Sequence, residues 1–234
     1  MTNEEFINAL SAKAKTIVQN YQCKSKIQSI KVVLSDKSKM TIIDDSYVIY
    51  VNQNNSLDEM EYLFLHEFFH CIQKDMGFPN LHQKNIIYSD LSTMISSLIL
   101  DLDVTQRLEN EGYIQTHNEK TLDENIDTVQ KLIIFSKTDQ CIHDEFYEIN
   151  QYYKIICHIV HDRFIFGNIE KVNKMLLFIK KHDANTYKIQ SIIYDTIVRY
   201  GYDSPKKVYK IFKTLIRELE LEDYIEITSG NGSM

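Results

Sequence analysis

Two histidines and a glutamate stand together in the run His66-Glu67-Phe68-Phe69-His70. On a helix, residues four apart project from one face. His66 and His70 are then neighbours one turn apart, and their imidazoles can share one Zn²⁺. Glu67 sits beside them without competing as a ligand. A carboxylate there can take a proton from a zinc-bound water and hand it to a leaving amine. The metal supplies the rest of that chemistry, lowering the pKa of water to about 7 and polarising the scissile carbonyl. The rival reading is two histidines that share a buried helix and are satisfied by core carbonyls. Leu57, Met60, Leu63, Phe64, Leu65, Phe68, Phe69, Ile72 and Met76 make this helix apolar on most sides. Polar groups buried there are costly unless something satisfies them, and a metal does so. Cys71, rotated about 100° from His70 on the helix, reads as core packing.

A catalytic zinc needs a third protein ligand and an open fourth position. The next helical segment, DLSTMISSLILDLDVTQRLENEG, offers three acids. Asp101 flanks its apolar stripe among Met94, Leu98, Val104 and Leu108. Asp103 points toward Ser96 and Arg107, and Arg107 at i+4 gives it a surface ion pair. Position therefore favours Asp101 as the third ligand, with Asp103 and Glu109 as alternatives and Asp90 or His82 behind them. A second cluster, His158 and His161 beside Cys157 and Asp162, has metal-compatible spacing. Ile155, Ile156, Ile159 and Val160 make an ordinary amphipathic helix the better reading there.

These residues need elements to hold them. Residues 3–20 place Phe6, Leu10, Ala14, Ile17 and Val18 on one helical stripe. Between about 27 and 52 the period changes to short β-branched and aromatic runs, and Tyr47 to Val51 is apolar on both faces, the pattern of a covered strand. Ser56 then offers a cap, followed by Asp58 and Glu59, for a helix over about 57–76 that stops at Gly77 with Pro79 beyond. Residues 78–88 read as loop. A second helix runs from near Asp90 or Ser92 to about 110 and ends at Gly112. The polar stretch Gln115–Asn125 reads as a linker, with helices expected over about 126–136, 142–163, 168–182, 185–200 and 204–220. The tail TSGNGSM reads as frayed.

The bulk composition is compatible with this. The chain has 234 residues, 44% of them hydrophobic and 25% charged, with six Gly, two Pro and no Trp, which favours a mainly helical globular protein. Net charge is uneven: residues 1–149 carry 13 Lys/Arg against 23 Asp/Glu, whereas residues 150–234 carry 13 against 10. An acidic front half disfavours nucleic acid, whose phosphates require clustered cations. Lys206, Lys207, Lys210, Lys213 and Arg217 recur along the last helix, but the acids from Glu218 to Glu226 follow at once, so a solvated face is expected. Four scattered cysteines, no signal-type apolar core and no run of about 18 apolar residues lead to the expectation of a cytoplasmic protein with no membrane partner.

The order SYVIYVNQNNSLDEMEYLFLHEFFHCIQ, a strand, a short polar link and a helix bearing HExxH, resembles the zincin metallopeptidases. The likeness is strongest to the gluzincin-like branch that includes the ImmA/IrrE-like peptidases, and it covers about residues 27–113. It implies that His66 and His70 bind zinc, that Glu67 is the catalytic base and that a later helix supplies an acidic ligand. It also implies that residues 46–52 form an edge-type strand holding the substrate backbone, so that a peptide adds to its free edge. An oxyanion donor besides zinc would be required; Tyr88 and Tyr113 are the candidates, with His82 behind them. This chain departs from the pattern in three ways: its best-placed acid is Asp where gluzincins use Glu, Phe68 and Phe69 replace small residues, and no HExxHxxGxxH extension is present.

The expected fold is α+β and predominantly helical: a small zincin-like sheet with active-site helices in residues 1–122, then an all-helical module in residues 123–234. The expected activity is zinc-dependent hydrolysis of peptide bonds in a peptide or protein substrate. The alternative is a non-catalytic regulatory or protein-interaction protein that keeps a zincin-like scaffold.

Overall fold

The computed structural model describes residues 1–27, 29–85, 89–113, 119–135, 145–167 and 169–228. The chain opens with helices α1 (Asn3–Ala9) and α2 (Ala12–Gln22), followed by strands β1 (Ile30–Ser35), β2 (Lys39–Ile43) and β3 (Ser46–Asn52). Helix α3 (Leu57–Asp75), strand β4 (Asn80–Gln83) and helix α4 (Ser89–Asn110) come next. Helices α5 (Glu119–Phe135), α6 (Glu145–Phe166), α7 (Glu170–His182), α8 (Ala184–Tyr200) and α9 (Pro205–Glu218) precede a last strand, β5 (Ile225–Thr228). The class is α+β and mainly helical, as the composition indicates. Among the described residues no helix is long and apolar enough to cross a membrane.

The chain divides into two compact units, each discontinuous in sequence. The first gathers Met1–Phe78 with the end of α4 from Asp103; the second gathers Pro79–Leu102 with the helices from α5 onward and β5. The boundary thus passes through α4, one unbroken helix, between Leu102 and Asp103.

In the first unit the strand order is β1-β3-β2, with β3 parallel to β1 and antiparallel to β2. The expectation of an edge strand at residues 46–52 is therefore corrected. Both hydrogen-bonding rows of β3 are taken, so no free edge exists there for a peptide to join. The cause is legible in the chain: β2 turns back on β3 through Asp44 and Asp45, both with positive φ (48° and 59°). That conformation suits a tight hairpin and is tolerated by Asp better than by most residues. Val48, Ile49 and Val51 are buried, as a central strand requires.

Helix α3 lies against β3, β2 and α2. Ser56 begins it with a capping box, its hydroxyl accepting from the Glu59 N–H while the Glu59 carboxylate accepts from the Ser56 N–H. Met76 closes it, and Gly77 turns the chain with φ 80°. Its buried stripe, Met60, Phe64, Leu65, Phe68, Phe69 and Ile72, joins Phe6, Ala14, Ile17, Val32, Val51, Val104 and Leu108 in one core. Leu57 and Met76, at the two ends, are exposed. The single helix expected over residues 3–20 is two, broken at Leu10 and Ser11, because the Ser11 hydroxyl accepts from the Ala14 N–H and starts α2 afresh.

In the second unit β4 pairs antiparallel with β5, Leu81 opposite Ile227. Two expectations fall with this pair: residues 78–88 are not all loop, and the C-terminal part is not all helical. Ile225 and Ile227 alternate with Glu226 and Thr228, the period-two signal of a half-buried strand, and the Leu81 N–H donates to the Ser96 hydroxyl. Helix α5 begins at Glu119, inside the stretch read as a linker. Leu122, Val129, Ile133, Ile155, Ile159, Val172, Met175 and Ile179 form the core shared by α5, α6 and α7. Lys206, Lys210, Lys213 and Arg217 face solvent while Val208, Ile211, Phe212 and Leu215 are buried, the solvated basic face expected for α9.

Candidate metal centre

Along α3, His66, His70 and Gln73 stand at i, i+4 and i+7 and share one face. The two imidazoles meet through their Nε2 atoms, 3.2 Å apart, with their rings nearly perpendicular. Two ligand atoms held at about 2.05 Å by one tetrahedral zinc lie about 3.3 Å apart, so the pair is already spaced as ligands of one ion would be. Both histidines and Glu67 are half-buried, and Glu67 lies about 60° round the helix from His70.

Asp101 and Asp103 flank Val104 on α4, about 60° and 100° from it respectively. Val104 is fully buried in the core that contains α3. Along the helix, the two carboxylates therefore stand on opposite sides of Val104. The ligand atoms of His66, His70 and Asp101 all lie within 4.8 Å of one another, the one such group among the described residues. Two imidazole nitrogens and a carboxylate oxygen would supply three of the four donors that a tetrahedral zinc takes.

The alternative ligands are engaged or placed elsewhere. Asp103 is buried, with 3% of its surface exposed, and accepts from Arg107 Nε at 2.7 Å and Gln73 Nε2 at 2.8 Å. Its pairing with Arg107 is as expected, but it is an interior ion pair rather than a surface one, because Gln73 and the core cover it. Glu109 and Asp90 are exposed, and His82 is exposed on β4. Tyr88 lies outside the described residues. Tyr113 donates its hydroxyl to Glu61 Oε1 at 2.7 Å, which commits it to that carboxylate. Cys71 packs in the core, its thiol donating to the Glu67 carbonyl, and burial pushes that thiol up. Of the second cluster, Asp162 is buried, His161 half-buried and His158 exposed, and they form no metal-binding group among the described residues.

Glu61 secures the start of α3. It accepts from the Ser11 N–H at 2.6 Å and the Ser11 hydroxyl at 2.8 Å, as well as from Tyr113. Burial pushes its carboxyl up, but the Ser11 N–H, the two hydroxyls and Lys13 together outweigh this and hold it below the usual range. Burial first, and then the bond to Glu61, raise the Tyr113 hydroxyl to about 12. Lys13 lies 4.2 Å over the Tyr113 ring and donates to the Gly112 carbonyl at 2.9 Å.

One polar side chain at this face was not singled out by the sequence reading. Gln73 is 2% exposed, and its Oε1 lies 2.9 Å from His70 Nδ1. The i+7 spacing from His66 was the available signal. The chain matches no family model, no curated protein and no solved structure.

Proposed function

We propose that this protein is a zinc-dependent peptidase, with His66, His70 and Asp101 holding the metal and Glu67 acting as the acid–base residue. The observation that carries the reading is the convergence of three ligand atoms within 4.8 Å beside a glutamate on the same helix turn. When bound, zinc would lower the pKa of a water and polarise the substrate carbonyl. Glu67 would take the proton from the attacking water and deliver it to the leaving nitrogen. The α3 core, with Phe68 and Phe69 fully buried, would keep the histidine face in register with Glu67. A peptide or protein is the substrate class, and a cytoplasmic setting belongs to the same reading.

The test is the metal content of purified protein and cleavage of an unstructured protein substrate by wild type and Glu67→Gln. Bound zinc with activity lost in Glu67→Gln is the expected result; wild type that takes up no zinc would overturn it. A non-catalytic zincin-like scaffold is favoured by one observation, the central position of β3, which removes the free edge expected to hold substrate. It predicts bound metal without turnover.

A further inference from the structure

We propose that Gln73 is a positioning residue that fixes the tautomer of His70, presenting the Nε2 lone pair toward His66. This rests on the metal-site reading for its purpose, but its geometry stands alone. Asp103, paired with Arg107 at 2.7 Å, is a carboxylate and can only accept hydrogen bonds. The Gln73 atom 2.8 Å from it must therefore be the amide nitrogen. That fixes an orientation which geometry alone leaves open for a glutamine. The amide oxygen then faces His70 Nδ1 at 2.9 Å. An oxygen there calls for an N–H, so the proton of neutral His70 resides on Nδ1. Nε2 carries the lone pair, and it is Nε2 that lies 3.2 Å from His66 Nε2. His70 Nδ1–H thus donates to Gln73 Oε1 and Gln73 Nε2 donates to Asp103, a carboxylate that also accepts from Arg107 Nε and so anchors the row. Gln73 and Asp103 are 2% and 3% exposed. Burial at that depth keeps water from competing for these bonds, and leaving either group unmatched would be costly.

The tautomer is read directly by long-range ¹H–¹⁵N correlation NMR on histidine-labelled full-length protein after chelation. The expected wild-type spectrum has His70 protonated on Nδ1 and bare on Nε2. Gln73→Met, close in length but without an acceptor, should give a mixed or reversed tautomer and weaken zinc binding by about 10- to 100-fold. Asp103→Asn, which lets the amide pair turn over, should mix the tautomers with a smaller loss. Wild-type His70 protonated on Nε2 overturns the proposal. So does a Gln73→Met protein with an unchanged tautomer. The wild-type spectrum decides the matter even if a variant fails to fold. If wild type shows the Nδ1–H tautomer yet binds no zinc, the metal reading falls and the assignment of Gln73 stands.

Discussion

His66 Nε2 and His70 Nε2 are 3.2 Å apart on one helix face, about the separation two nitrogens would have if one tetrahedral zinc held both. Calorimetry with zinc should give one site per chain, and His66→Ala or His70→Ala should abolish it. Zinc at 100 times its dissociation constant should stabilise wild type by about 2.7 kcal/mol and leave both variants unmoved.

Glu67→Gln keeps the size of the side chain and removes its basicity. Zinc affinity should stay within a few-fold of wild type, while peptide cleavage falls by about 10²- to 10⁴-fold. Equal loss of both in paired calorimetric and kinetic measurements would remove Glu67 from the acid–base role.

The Glu61–Tyr113 bond should appear at both ends of the stability–pH curve. Glu61 is held low, so its contribution is present above the unfolded carboxylate value of about 4.3 and is lost as pH falls through the lower folded value. Tyr113 is raised to about 12, so its contribution is present below about 10 and is lost as pH rises toward the folded value. Urea melts across pH should show a shallower acid limb in Glu61→Gln and a shallower alkaline limb in Tyr113→Phe. Near neutrality each should cost about 1 kcal/mol.

Phe68→Ala should cost about 3–5 kcal/mol by thermal or urea unfolding, because Phe68 is fully buried and touches the Phe64 and Tyr21 rings edgewise or stacked. Asp103→Ala should cost about 3 kcal/mol by leaving Arg107 and Gln73 without their shared acceptor. A surface ion pair would lose less than about 1 kcal/mol, so this measurement separates the two settings.

Local signals carried far along this chain. Ser56 and Gly77 mark the ends of α3, Gly112 follows α4, and the i, i+4 histidines share a face. What local signals do not carry is pairing between distant segments. The covered look of Tyr47–Val51 is the same for a central strand and a masked edge, and only the β1-β3-β2 order separates them. Strand β4 is four residues long and gains its partner from residues more than 140 positions later, beyond the reach of any periodicity. Asp103 looked like a surface acid because its i+4 partner is an arginine. Its burial depends on Gln73, thirty residues away.

The tight turn at Asp44 and Asp45 also bears on how copies of this chain behave toward one another. It terminates β2, an edge strand whose last two residues, Ile42 and Ile43, are exposed at 45% and 46%. An apolar edge of that kind invites strand-to-strand stacking between molecules. Two negative charges at one end and Lys39 at the other act as gatekeepers against it. Replacing the aspartates by Asn-Gly would suit the left-handed turn better and would strip the charges that hold neighbouring molecules apart. Folding stability and colloidal stability therefore pull in opposite directions at these two residues.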